Sequence, residues 1–318
     1  MAKVWLPGKD SGYLHGFKVI TDSMNAASKG TNLKPDQEVR PIPGLKLLGF
    51  FIRGLSLISA GFAARCTLFL FSLPGRRAKH FREDELLRSA QRSWVMSGDK
   101  QIRTYTWGNG ERRILLLHGW QSRGTALRYF VPILLGEGIQ VVAMDAPGHG
   151  ESSGYRMTIT EYAQAILDVE QKVGPFSGAI AHSFGGRAIT YAMGYLDHQW
   201  QLKKIVLLAV PASITRIFSE FFSKIGASEA LIQAAHQLAV NRLGHPVEDS
   251  EIYNIGPRLK VKFLVIHDSE DQIVPLWEAQ RIVDAIPGAQ YITTHGLGHY
   301  RLAKAPATWE EVRSFFAT

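Results

Sequence analysis

A serine in the string Ala181-His182-Ser183-Phe184-Gly185-Gly186 stands between an apolar run, Gly178-Ala179-Ile180, and a helix-like segment opening at Arg187-Ala188-Ile189-Thr190. Small residues two places before and two places after Ser183 let the backbone turn sharply from strand to helix. The hydroxyl is then held out above the sheet edge, and a bulky flank would clash across the turn. This is the nucleophile-elbow pattern, with Ala181 in place of the first glycine. A serine hydroxyl is a weak nucleophile at neutral pH. It needs a general base to take its proton and a carboxylate to orient that base.

Both are available downstream. Val261-Lys262-Phe263-Leu264-Val265-Ile266-His267 reads as a buried strand and is followed by Asp268, Glu270 and Asp271. Gln290-Tyr291-Ile292-Thr293-Thr294 reads as another strand and is followed by His295 and, in Gly296-Leu297-Gly298-His299, by His299. Each candidate stands on a loop after its own strand, in the chain order serine, carboxylate, histidine. A further strand, Arg113-Ile114-Leu115-Leu116-Leu117, leads into His118-Gly119-Trp120-Gln121, and Val141–Met144 leads into the glycine-rich Asp145-Ala146-Pro147-Gly148-His149-Gly150, read as structural.

This order and these four loops resemble the α/β-hydrolase superfamily from about Ser93 to the C-terminus, and the His-Gly-Trp turn resembles that of bacterial serine carboxylesterases. The resemblance implies an α/β-hydrolase fold, a mostly parallel twisted sheet covered by helices. It implies a serine hydrolase that cleaves a carboxylic ester or thioester through an acyl-enzyme. Ser183 would be the nucleophile, Asp271, just before Ile273-Val274-Pro275, the acid, and His299 the base; Asp268, Glu270 and His295 are the alternatives. The backbone N–H of Phe184, next after the nucleophile, and that of Trp120 would form the oxyanion hole. No metal and no cofactor are implied. Serine rather than aspartate at the elbow argues against haloalkane dehalogenase or epoxide hydrolase chemistry. Acyl transfer and cofactor-free perhydrolysis use the same triad and stay open. So does a non-catalytic membrane- or partner-binding protein of this fold.

The elements that must position these residues alternate strand and helix from about Ser93 onward, the pattern of a mostly parallel sheet with helical cover. Strands are expected at about 93–97, 101–107, 113–117, 139–144, 178–182, 204–210, 261–267 and 290–294. Helices are expected at about 159–172, from 185, at 276–285 and at 307–316. Residues 213–259 interrupt the alternation. Phe218, Phe221, Phe222 and Ile225, then Leu231, Ile232, Ala235 and Leu238, recur at helical spacing there, where the family commonly inserts a small helical cap. Phe218, Phe221, Phe222 and Tyr300 are expected to contact a small ester substrate with an apolar acyl or alcohol part.

Charge divides the chain differently. Residues 1–82 hold 13 of the 36 Lys and Arg but only 4 of the 28 Asp and Glu, a net of +9, which leaves the remainder at −1. The domain reading is a basic N-terminal extension, 1–82, and a hydrolase domain, 83–318, with its cap at about 213–259. The near-neutral hydrolase part argues against a strongly anionic substrate, and no nucleic-acid motif accompanies the basic part, so no nucleic-acid partner is expected. Residues 1–44 read as irregular chain. Residues 45–73 are strongly apolar and read as an N-terminal apolar helix, with Lys46, Arg53, Ser56 and Ser59 near one face. Arg53 and Arg65 leave only 11 uncharged residues between them, short of the roughly 20 of a membrane span. Three readings remain for this run: a helix lying in a membrane interface, a helix packed on the hydrolase domain or a second subunit, and a poorly inserted span. A single cysteine, Cys66, excludes an internal disulfide and fits a reducing compartment. The expected location is the cytoplasm, with the inner face of the membrane as the place of any peripheral contact.

Overall fold

The central strands are apolar at successive positions, so both faces of their sheet must be covered. In the computed structural model, which describes residues 45–75 and 85–317, they do so in one eight-stranded sheet. The strands are β1 (Gln91–Ser97), β2 (Lys100–Trp107), β3 (Arg113–Leu117), β4 (Gln140–Met144), β5 (Gly178–His182), β6 (Lys204–Leu208), β7 (Lys262–Asp268) and β8 (Gln290–Thr294). Their order is β1-β2-β4-β3-β5-β6-β7-β8. The hairpin β1–β2 and the β2–β4 pair are antiparallel, and the other five junctions are parallel. The alternation of strands and helices implies the mostly parallel, helix-covered sheet, and the result is the α/β-hydrolase fold that the resemblance implies.

Alternation along each strand divides the core. Leu115, Leu117, Ala179, Ala181, Ile205, Leu207 and Val265 face one side, under α5 (Ile159–Val173), α6 (Phe184–Tyr195) and α10 (Leu276–Ala285). Their neighbours Ile114, Leu116, Ile180, Val206, Leu208, Leu264 and Ile266 face the other, under α4 (Val131–Gly136) and α12 (Pro306–Ala317). The short helix α3 (Glu85–Arg88) precedes β1, α9 (Ile252–Ile255) precedes β7 and α11 (Gly298–Arg301) follows β8. In α5 the capping box Thr158–Glu161 satisfies the first N–H groups.

The interruption at 213–259 forms α7 (Ile214–Lys224) and α8 (Glu229–Leu243), capped by Ser213 and Ser228. The apolar run at 45–73 forms two helices rather than one, α1 (Leu45–Ile58) and α2 (Ala60–Phe71). Ser59 divides them: its backbone is extended, and its hydroxyl accepts the Phe62 N–H to start α2. The four helices form a separate apolar cluster, with Ile52, Ala63, Ala64 and Leu68 packed against Phe222, Ile225, Leu231 and Ala235. Small residues permit the close approach. A side-chain carbon at Gly49 of α1 would fall inside contact distance of the Ile225 carbonyl. The C-terminus of α2 is tied to the sheet body by Met157 N–H donating to the Ser72 carbonyl at 2.9 Å. Among the described residues no helix is long and apolar enough to cross a membrane. The irregular chain expected over 1–44 and the basic Arg76-Arg77-Ala78-Lys79 lie outside the described residues.

Candidate active site

Parallel strands deliver their C-terminal ends to one edge, and Ser183, the three carboxylates, both histidines and the Trp120 turn stand there. β3 and β5 are neighbours in register, Leu117 beside Ala181, so the turns that follow them meet. The meeting is close. A side-chain carbon at Gly119 would lie 2.8 Å from Ser183 Cβ, and one at Gly185 would lie 2.6 Å from the Leu117 carbonyl. Glycine at these two places lets α6 press against the β3 exit with the serine between them.

Ser183 has φ 51° and ψ −122°, left-handed territory that a side chain makes costly. Its N–H is anchored to the Leu208 carbonyl at 2.9 Å, and its half-buried hydroxyl is not spent on capping α6. Among the described residues only two other non-glycines have positive φ, Gln121 and Ala209. They follow β3 and β6, the two strands that flank β5, so all three strained positions stand at adjacent strand exits.

The three carboxylates at the end of β7 and in the turn after it have different surroundings. Asp268 is fully buried and accepts from Glu270 N–H, Leu297 N–H and Thr294 Oγ1, which joins the β7 and β8 exit loops. Glu270 lies on the surface beside His295, at 3.0 Å. Asp271 accepts Ile273 and Val274 N–H groups on Oδ1 at 2.8 Å each and His299 Nδ1–H on Oδ2 at 2.8 Å. Burial alone would raise the Asp271 carboxyl; the hydrogen bond and charge of His299 and the two backbone donors outweigh it and hold the group below the usual carboxylate range. With Nδ1–H committed to Asp271, the neutral imidazole of His299 keeps Nε2 as its basic nitrogen. His299 stands in the first turn of α11 rather than on an extended loop, because Gly296 and Gly298, both at positive φ, turn the chain after β8.

His182 is a site residue that sequence reading missed, since a histidine inside the elbow carries no signal of its own. It is buried beside His299, with ring centroids 4.7 Å apart, and its Nε2–H donates to the His299 carbonyl at 2.9 Å. Burial, then the neighbouring His299, push its pKa down to about 3, so it is a neutral strut between the elbow and α11. His118 and His149 serve the facing turns. His118 Nε2 accepts Ala146 N–H, and His149 Nε2 accepts Gln121 N–H, both as neutral rings. Burial, reinforced by His149, keeps His118 well below the normal histidine range. Asp145 accepts Gly124 and Glu151 N–H groups and the Tyr105 hydroxyl, so the loop after β4 is a structural brace.

Trp120 and Phe184 stand side by side, rings edge to face with centroids 5.8 Å apart. The Phe184 N–H is the first of α6 and has no intrahelical acceptor, at the positive end of the helix dipole. Tyr300 is half-exposed and edge-on to His299, with centroids 4.9 Å apart. Phe218, Phe221 and Phe222 are instead gathered into the four-helix cluster. Phe71 of α2 stacks on Phe218 at 4.8 Å and meets Phe221 at 5.0 Å, and Phe222 is buried there. Phe218 and Phe222 also line a cavity of about 410 Å³ between α7 and α8, with Ile232, Ala235 and His236. Cap residues thus seat α2, an element the helical periodicity could not reveal as their partner.

A second buried polar cluster roots the cap. Arg187 of α6 and Glu251 form a buried pair at 3.3 Å, and Glu251 also accepts Ser213 Oγ and the Ile214 and Thr215 N–H groups. Glu278 accepts Ala212 and Ser213 N–H groups and pairs with Arg216. Two buried carboxylates therefore hold the N-terminus of α7. A charged residue just inside an otherwise apolar helix, as Arg187 is, was the one available hint. Among the described residues no group of three His, Cys, Asp or Glu is placed to hold a metal ion.

Residues 114–312 match the model of the alpha/beta hydrolase family. A serine hydrolase-like protein of Homo sapiens is 31% identical over 117 residues, 35% of this chain and 56% of the relative. The chain spans between 27% and 56% of the lengths of the curated relatives it matches. Among solved structures, an esterase from Exiguobacterium antarcticum superposes with a TM-score of 0.55 at 18% identity, over 71% of this chain and 99% of that one. A bromoperoxidase from Bacillus anthracis superposes with a TM-score of 0.56 at 16% identity, over 72% and 100%. At these identities the structural likeness is one of fold.

Proposed function

Since this chain belongs to the alpha/beta hydrolase family, we propose that it is a serine hydrolase cleaving a carboxylic ester or thioester with an apolar acyl or alcohol part. The observation that carries this reading is the buried Asp271–His299 pair at 2.8 Å, tied through His182 to the strained elbow that holds Ser183. His299 Nε2 takes the proton as Ser183 Oγ attacks the carbonyl carbon. Asp271 orients the imidazole and stabilises its cation. The Trp120 and Phe184 N–H groups receive the developing oxyanion. The tetrahedral species collapses, and His299 gives its proton to the departing alcohol or thiol. Water, deprotonated by His299, then releases the acid from the acyl-enzyme and restores Ser183. Trp120, Phe184 and Tyr300 present apolar surface beside these atoms and favour an apolar substituent.

The test is labelling by a fluorophosphonate probe together with turnover of p-nitrophenyl esters of graded chain length. The wild-type protein should label on Ser183 and release p-nitrophenol. Ser183→Ala should lose labelling and drop in kcat by on the order of a millionfold, as removal of a triad nucleophile does, with an unchanged melting curve. A protein that neither labels nor turns over any ester would make the fold a binding scaffold. One that labels and yields product only when an alcohol or peroxide acceptor is present would be an acyltransferase or perhydrolase.

A further inference from the structure

Helix α1 is apolar on two faces, and only one of them is used. Gly49 and Ile52 are buried, and Leu48, Leu55 and Ser56 half-buried, along the face packed against α7, α8 and the loop between them. The polar residues on this side meet that loop, Arg53 Nη1 lying against Gly226 and Ser56 Oγ 3.2 Å from Ser228 Oγ. The opposite face carries Leu47, Phe50, Phe51, Gly54, Leu57 and Ile58, a stripe at helical spacing. Its large side chains are exposed, from 61% for Leu47 to 90% for Leu57. Over the helical rise the stripe is roughly 16 Å long, and no charged side chain interrupts it. Phe62, also exposed, stands just past the turn at Ser59. A water-soluble chain gains nothing from a continuous row of this kind, whereas scattered apolar residues would need no explanation.

Charge identifies what covers it. From Arg40 to Arg82 the chain has eight basic residues (Arg40, Lys46, Arg53, Arg65, Arg76, Arg77, Lys79 and Arg82) and no Asp or Glu. A second copy seated on the same face would bring two such stretches together and be repelled. An anionic lipid surface attracts them and also accepts the apolar row at its acyl boundary. We propose that the outward face of α1, with Phe62 at the turn into α2, docks this protein on an anionic membrane surface, lying in the interface rather than crossing it.

The experiment is co-sedimentation of the full chain with vesicles of equal parts phosphatidylcholine and phosphatidylglycerol, and with phosphatidylcholine alone. The wild-type chain should bind the anionic vesicles, bind the neutral ones far less, and be released only in part by salt. The double variant F51S/L57S should keep the wild-type melting curve, since both positions are exposed, and lose about tenfold or more in vesicle partition. The single variant L57S should lose less and serves if the double variant melts early. Equal binding by wild type and variants would overturn the proposal, the basic segment alone being sufficient. Equal binding to neutral vesicles would overturn the anionic requirement. No binding, with a dimer in equilibrium sedimentation that F51S/L57S dissociates, would assign the face to a second copy; no binding by a monomer would leave it without a lipid role.

Discussion

At the C-terminal edge of the sheet, position is set by hydrogen bonds to loop backbone. Asp268 takes three donors, Asp271 takes two N–H groups and His299, and His182 holds the His299 carbonyl. In the four-helix cluster of α1, α2, α7 and α8, position is set by shape. Alanines and a glycine face one another, with phenylalanines filling the gaps. If the proposed chemistry holds, the first region should lose activity when a single atom is misplaced; the second should lose stability in proportion to volume and leave the chemistry intact. The two meet at Glu251 and Glu278, buried carboxylates that seat α7 on the sheet body.

Among the hydrogen-bonded supports of the first region, Asp271→Asn should break it hardest. An amide cannot hold the imidazole in the needed tautomer, and kcat on a p-nitrophenyl ester should fall on the order of ten-thousandfold with the melting curve kept. Asp268→Asn should do the reverse, costing about 1–3 kcal/mol of stability through its displaced donors, with a smaller loss of kcat. Paired chemical denaturation and steady-state kinetics on both variants check this, and a reversed order would move the acid to Asp268. Glu251→Ala strikes the junction. It leaves Arg187 buried without its carboxylate and three donors of the α7 terminus unmet, and should cost about 3–5 kcal/mol in urea denaturation. The smallest effect belongs to the helical cluster. Gly49→Ala crowds the Ile225 carbonyl and should cost about 1–3 kcal/mol, read as faster hydrogen exchange in α1 and α7 with kcat unchanged. A kcat that fell with Gly49→Ala would show that the two regions are coupled, against the contrast drawn between them.

All eight strands and the elbow are legible in the chain, because each depends on residues within a few places of one another: apolar runs, small flanks around Ser183, turn residues after each strand. The serine, carboxylate and histidine candidates are legible for the same reason, as is the implication that parallel strand exits gather them. Asp271 as the partner of His299 comes from the family resemblance and not from spacing alone, since three carboxylates stand within four residues and it is the turn at Ile273–Val274 that aims Asp271 at the imidazole. Not legible at all are His182 as a strut and the Arg187–Glu251 pair, which join residues 117 and 64 places apart. The run at 45–73 is the sharpest case. Its periodicity marks apolar residues and breaks, but a helix apolar on two sides does not say which side is inside. That was decided by the small residues of α2 and α8 and the close seat of Gly49 on Ile225, contacts between segments far apart in the chain that exist only once the fold has formed.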